Sequence, residues 1–368
     1  MSITSNIILT KEQQDCVELM KCFVYGSYKN PLHDRVFILD GFAGTGKSTL
    51  VSCFLESMKN QNYSYVVLTY TGKASKVLYD KGLKEAQTIH SYIYDFTLDK
   101  YGNPKYFLRD KEDIRFNVDF VVVDESSFIS DKIYDDLLKV CSKIIYVGDS
   151  YQLSIERTTK LNDLDFNLTE PLRFQGYINE LATKTRENNA VPSSEIISNV
   201  KLSKDYDIMI CYRNTTKDSL NLAYRKYVLG KTGFLSKCEK IMFLNNSKDY
   251  TINGEPIING LIITLKSDPR IIRKAQYTYF EYYGLYFWFG STFLFIDPDT
   301  RWITNRYNSN YIRVFPITYA YAITCHKAQG SEWNNVLLLT ESVDPHYLYT
   351  GITRARKKIT LCKGVINA

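Results

Sequence analysis

The chain has 368 residues, 45% of them hydrophobic and 23% charged, with a net charge of +6. That length suits two or three domains of about 150 residues each, and the apolar-to-charged balance excludes long disorder. No apolar run approaches a bilayer span, and the opening MSITSNIILT lacks the basic-then-apolar layout of a secretory signal, so a soluble cytoplasmic protein with no membrane partner is expected. The eight cysteines are scattered without a CxxC pair beside only four histidines. Such spacing does not fit a zinc site and points to reduced thiols used as small hydrophobes.

Four apolar runs in the first 150 residues read as buried strands: VFILD (36–40), YVVLT (65–69), FVVVD (120–124) and IIYVG (144–148). Helical stretches such as KSTLVSCFLESMKN (47–60) lie between them, which implies βαβ units and a parallel sheet. In such sheets ligands gather beyond the carboxyl ends of the strands. Residues 93–110 alternate apolar positions on either side of a GNP turn and predict a β-hairpin. DIMICY (207–212), ITYAYAIT (317–324), VLLLT (336–340) and KKITLC (357–362) predict a second sheet of the same kind. Residues 237–305, rich in Tyr, Phe, Ile and Gly with turn signals throughout, read as an all-β insertion within it. Arg354, Arg356, Lys357, Lys358 and Lys363 form a basic run without an acid. It reads either as a polyanion contact or as a solvated basic face.

The residues with a clear chemical signature begin at GFAGTGKS (41–48), which follows a strand and opens a helix. Gly41, Gly44 and Gly46 let backbone amides approach phosphate oxygens, Lys47 reaches the β- and γ-phosphates, and Ser48 can hold Mg²⁺. A nucleotide hydrolase also needs a carboxylate for the metal and a group to act on water. Asp124 and Glu125, at the end of FVVVD, are placed to supply them, Asp124 through the metal and Glu125 on the water.

Beyond these residues, a series of motifs in order resembles the superfamily 1 helicases, and within them the 1B branch of RecD-like and Dda-like enzymes. LTKEQ (9–13) resembles the Q motif, whose glutamine, here Gln13, reads adenine, and GFAGTGKST resembles motif I, which brings Thr45 and Thr49 to the nucleotide. TYTGKAS (69–75) resembles motif Ia and TIHSYIY (88–94) motif Ib, which implies nucleic-acid contacts from Thr71, Lys73, Thr88 and His90. DESS (124–127) and GDSYQL (148–153) resemble motifs II and III, with Gln152 near the γ-phosphate. EPLRF (170–174) is similar to motif IV, with Arg173 as a γ-phosphate contact. TCHKAQGSEW (324–333) fits motif V, which implies Thr324, His326 and Lys327 on nucleic acid and Gly330 and Glu332 toward ATP. YTGITRAR (349–356) fits motif VI, with Arg354 as the arginine finger. The chain departs from the family's usual motif III prolines and from the alanine-proline pair that opens motif Ia.

The resemblance implies an α/β fold of two RecA-like P-loop NTPase lobes. Lobe one spans 1–92 and 111–165 with a wedge hairpin at 93–110, and lobe two spans 166–236 and 306–368 with an SH3-like β-barrel insertion at 237–305. Tyr101, near the hairpin turn, reads either as a base-stacking residue or as an ordinary exposed tyrosine; Trp333 reads as core packing. The implied activity is that of an ATP- and Mg²⁺-dependent 5′→3′ DNA helicase, acting as a monomer on single-stranded and forked DNA beside replication or recombination proteins. An RNA helicase or protein-displacing translocase, and a nucleotide-gated DNA-binding module, are the alternatives. The compact motor core and its 30 tyrosines fit a phage or viral source.

Overall fold

The computed structural model describes residues 8–30, 34–98, 104–154, 158–172, 176–252, 254–274, 277–290, 294–296, 303–304 and 312–366. Tyr101 and Arg173 lie outside them. The chain divides into two compact units: Met1–Phe96, Tyr106–Pro192 and Val343–Arg356 in the first, and Thr97–Lys105, Ser193–Ser342 and Lys357–Ala368 in the second.

The first unit is built on a six-stranded sheet in the order Ala86–Thr88, Tyr65–Thr69, Phe120–Asp124, Ile144–Gly148, Val36–Gly41, Phe166–Leu168, with every neighbouring pair parallel. Its inner strands are apolar almost throughout because both faces are covered, whereas the edge strands Ala86–Thr88 and Phe166–Leu168 carry Gln87 and Asn167. Phe37, Leu39, Val122, Ile145 and Val147 point to the helices Lys11–Tyr25 and Lys47–Lys59. The alternate residues Val36, Ile38, Val121, Val123 and Ile144 meet Ile89–Ile93 and Asp131–Val140 on the other side. The period of two along each strand therefore decides which helix layer a residue meets. The expected hairpin is present as Tyr94–Leu98 against Pro104–Leu108.

The second unit carries a RecA-like sheet in the order Ala322–Thr324, Ile208–Cys211, Trp333–Leu339, Ala355–Ile366, Ile196–Lys201. A second sheet of the same unit, eight strands among the described residues, runs Ile262–Thr264, Lys240–Phe243, Ile312–Tyr319, Leu285–Phe289, Tyr277–Tyr282, Arg270–Lys274, with Leu294–Ile296 and Ile303–Thr304 paired off that path. ITYAYAIT is thus two strands. Ile312–Tyr319 pairs with Lys240–Phe243 in the β-rich sheet, and Ala322–Thr324 pairs with Ile208–Cys211 in the parallel one. Asn221 fixes the change of sheet: its side-chain oxygen accepts from the amides of Tyr321 and Ala322 at 2.9 and 2.8 Å, and its Nδ2 donates to the Ala322 carbonyl at 3.0 Å. Asparagine can serve both carbonyl and amide at once, which no aliphatic residue at this buried position could do. Trp333 opens a strand and is half-buried, at the rim of the core and not within it.

A buried ion pair sits beside that crossover. Arg225 donates to Glu239 and to the Gly233 carbonyl, its guanidinium lies 4.3 Å from the Tyr319 ring centre, and the two charged side chains are 5% and 0% exposed. Removing one partner strands the other charge in a dry site, at a cost of about 3–5 kcal/mol, whereas replacing both by apolar residues is far milder. Glu239→Ala should therefore lower the urea midpoint sharply, and Arg225→Met with Glu239→Leu should recover most of the loss. A single variant that melts like the wild type would refute this assignment.

Candidate nucleotide and nucleic-acid site

The phosphate loop joins the strand Val36–Gly41 to the helix Lys47–Lys59. Gly46 caps that helix with φ +81°, and a Cβ there would stand 2.5 Å from the Gln13 side chain. Positive φ and close approach both call for glycine. The loop is held from several sides. Gln13 donates to the Thr45 carbonyl at 3.0 Å and accepts from the Thr10 amide at 3.1 Å, Thr45 Oγ1 donates to the Phe42 carbonyl at 2.9 Å, and the Leu172 amide donates to the Gly44 carbonyl at 2.8 Å. Gln13 thus braces both the loop and its own helix cap, using one of its two amide hydrogens and one bond to its oxygen. Lys47 Nζ donates to the carbonyls of Gly41 and Phe42 at 2.5 and 2.9 Å, occupying the loop with its own cation. Ser48 is half-buried at the helix start, and Thr49 beside it is exposed.

Asp124 and Glu125 stand at the end of the strand Phe120–Asp124, two places away in the sheet. The Asp124 carboxyl is pushed up by burial and pulled back by the Glu125 amide, which donates to it at 2.9 Å, and by Lys47 and Lys81. Glu125 is pushed up to about 7, first by burial and then by Asp124, against the opposing pull of Arg354 and Lys73. Its backbone is left-handed, with φ 56° and ψ 44°, a conformation that costs a non-glycine residue energy and is concentrated at functional sites. Space is equally tight: a Cβ on Gly148, at the end of the next strand, would meet Ser126 Oγ at 2.2 Å.

The turn after that strand supplies Gln152, whose Nε2 donates to Asp149 Oδ2 at 3.1 Å. Asp149 also accepts from the Tyr151 amide at 3.1 Å and from the Tyr349 hydroxyl at 3.0 Å. Ser150 donates through its amide and hydroxyl to the buried Asp40, both at 2.7 Å. Arg354 belongs to this first unit, where its Nε donates to the Thr350 carbonyl at 3.0 Å and its Nη2 to Thr353 Oγ1 at 3.1 Å. The basic run therefore divides: Arg354 is buried, while Arg356, Lys357 and Lys358 are exposed. Asp149 and Ser150 stand inside the stretch that resembles motif III and Tyr349 opens the one that resembles motif VI, yet the motifs assign them no role; Asp40 and Arg186, whose guanidinium lies 3.3 Å from the Phe42 ring centre, lie outside every motif. The usable signals were the acids that close two otherwise apolar strands.

Of the nucleic-acid residues expected in the first unit, Thr71 and Thr88 are helix N-caps that accept from the amides of Ala74 and Ser91. His90 is half-buried among Tyr70, Tyr94 and Tyr106, and burial followed by Lys132 holds its pKa below the usual value. Lys73 is close enough for its charge to act on Glu125. In the second unit Thr324 ends its strand and Cys325–Ala328 follows as a short helix. His326 is kept below its ordinary pKa by burial and Lys327, and Lys327, lowered by burial and Lys217, donates to Asn259 Oδ1 at 2.7 Å. Gly330 in the same segment has φ +69°.

A parallel sheet in which one inner strand feeds GxxxxGKS, with an acidic pair at the end of the strand two places away, defines a RecA-like P-loop NTPase. Two family models match, an AAA domain over residues 31–197 and a UvrD-like helicase C-terminal domain over residues 319–362. Among solved structures, the fold is similar to that of Pif1 helicases described as unwinding forked duplex DNA, at a TM-score of 0.61 and 18% identity over 96% of this chain and 92% of that one. It is similar to Bacteroides Pif1 bound to ADP-AlF3 and single-stranded DNA (0.59, 18%, 97% and 92%) and to Candida albicans Pif1 (0.56, 15%, 97% and 95%). An uncharacterized Methanocaldococcus jannaschii protein, MJ1519, is 25% identical over 90% of this chain, which spans 37% of that relative's length. In motif order and in fold the chain is similar to the superfamily 1B helicases of the Pif1 and RecD-like branch.

Proposed function

We propose that the protein is an ATP-driven motor that moves 5′→3′ along single-stranded DNA and opens duplex ahead of it. The observation that carries this reading is the convergence, in one unit, of Lys47, Asp124, Glu125, the Gln152 turn and Arg354 around the phosphate loop. The loop suits ATP because Gly46, at φ +81°, turns the chain directly into the N-terminus of Lys47–Lys59, where backbone amides meet phosphate oxygens, and the oxygen donors Ser48 and Asp124 suit Mg²⁺. That ion, when bound, would neutralise phosphate charge. Loop amides bind the phosphates while Lys47 leaves its two carbonyls for them. Glu125 accepts a proton from the attacking water, and Gln152, Arg173 and Arg354 meet the charge that develops on the transferred group. Gln13 holds the base side, and Gly330 and Glu332 are further nucleotide contacts in this reading.

Thr71, Lys73, Thr88 and His90 of the first unit, and Thr324, His326 and Lys327 of the second, grip the nucleic-acid backbone. The hairpin with Tyr101 is the wedge and the β-rich region is an SH3-like module, with the expected limits corrected in three places: Phe166–Leu168 and the segment that carries Arg354 go with lobe one, and Ile312–Tyr319 goes with the β-rich region. The Pif1 structures, described with single-stranded and forked DNA, support DNA as the track. Strand displacement on partial duplexes with a 5′ or a 3′ tail, in DNA and RNA, with ATP and Mg²⁺, tests the proposal. Opening from the 5′-tailed DNA is the expected result. Opening only from a 3′ tail, only of RNA, or ATP turnover without displacement would each overturn a named part.

A further inference from the structure

The helix Pro345–Ile352 enters the first unit only a few residues before Arg354, and its register against the phosphate loop is set by hydrogen bonds that none of the sequence motifs accounts for. Tyr349 is 1% exposed. Its hydroxyl accepts from the amide of Ala43, inside the phosphate loop, at 2.8 Å and donates to Asp149 Oδ2 at 3.0 Å. Asp149 is itself 3% exposed and is the acceptor for Gln152. Around this point Thr350 Oγ1 accepts from the Leu153 amide at 2.7 Å, His346 Nδ1 lies 3.0 Å from the Tyr151 carbonyl, and the Tyr151 ring stands edge-on to that of Tyr349 at 5.2 Å. One turn further on, Thr350 and Thr353 hold the Arg354 guanidinium.

We infer that Tyr349 is a positioning residue for phosphate-bond cleavage: through one hydroxyl it ties the phosphate loop and the Gln152 turn to the helix that places Arg354. The inference rests on the ATP hydrolase reading above and adds a residue to it. A tyrosine is suited to this because a single oxygen both accepts and donates. Burial beside Asp149 drives its pKa well up, so it stays a neutral donor to the carboxylate. The Ala43 amide is taken up from the helix side, so the loop's attachment does not depend on a bound phosphate. Groups that act as a unit give non-additive losses, and a residue that works through Arg354 has nothing left to position once Arg354 is gone.

Single-turnover ATP hydrolysis is to be measured on the full chain for wild type, Tyr349→Phe, Arg354→Ala and the double variant, with steady-state kcat and KM for the first two. Tyr349→Phe should lower kcat at least tenfold with KM for ATP moved less than threefold, and should cost no further factor in the Arg354→Ala background. Asp149→Asn, which keeps the shape but replaces one of the two acceptor oxygens by an amide donor, should lower kcat in the same way and serves if Tyr349→Phe does not fold. Turnover within twofold of wild type, or losses that multiply in the double variant, would overturn the inference. A wild-type protein that does not hydrolyse ATP at all would overturn the hydrolase reading instead.

Discussion

Arg354→Ala should cut ATP turnover by about 10³- to 10⁵-fold, the range an arginine on a transferring phosphoryl group supplies, while nucleotide binding stays within a few-fold. The guanidinium rests on Thr350 and Thr353 at the end of its own helix, and its charge already acts on Glu125. It needs only a change of partner to act on developing negative charge. Arg354→Lys should not rescue, because a compact ammonium lacks the planar fork that can hold two hydroxyl and carbonyl partners and still face an oxyanion. Phosphate release and titration with a fluorescent nucleotide separate the two effects. Wild-type turnover, or a loss confined to binding, would remove Arg354 from the site.

Glu125→Gln should lower turnover by roughly 10²- to 10⁴-fold, the usual scale for a general base, and at the same time stabilise the nucleotide-free protein at alkaline pH. The carboxyl stands at about 7 in the folded chain against an ordinary 4.5, with burial and Asp124 as the causes. A folded value above the unfolded one means that the native state holds the proton more tightly. The stability this contributes is complete below about 4.5 and is lost as pH rises through about 7. For a group that solvent still reaches, the difference amounts to roughly 1–3 kcal/mol. Glutamine never ionises, so urea midpoints should favour the variant at pH 8 and converge with the wild type near pH 5. Equal midpoints at both pH values would contradict the buried-acid account.

The parallel sheet of the first unit was legible in the sequence because strands covered on both faces are written as unbroken apolar runs, and VFILD, YVVLT, FVVVD and IIYVG all took their places. The β-rich region was legible only in kind. Its strands are partly exposed, and Ile312–Tyr319 joins it from a stretch that reads as continuous with Ala322–Thr324. What separates the two is Asn221, a hundred residues away along the chain. In the site, the glycines, Lys47 and the acidic pair follow from spacing, since their chemistry depends on near neighbours in sequence. Asp149 and Tyr349 do not, because what they do depends on a contact between segments two hundred residues apart. The helix-cap roles of Thr71 and Thr88 could have been read from their positions just before helices, where threonine is favoured.

The crossover at Ala320 and Tyr321 makes the β-rich sheet and the 324–333 segment parts of one taut line. The strand Ile312–Tyr319 is fixed by ladders on both sides, Tyr319 leans on the Arg225–Glu239 pair, and the chain then enters the strand whose last residue is Thr324. A β-strand resists extension far better than a loop, so a load applied to the β-rich sheet reaches His326 and Lys327 with almost no slack. Tension would then be the natural variable for this protein. On the proposed motor reading, a force opposing movement along single-stranded DNA should stall the protein abruptly, with little compliance beforehand.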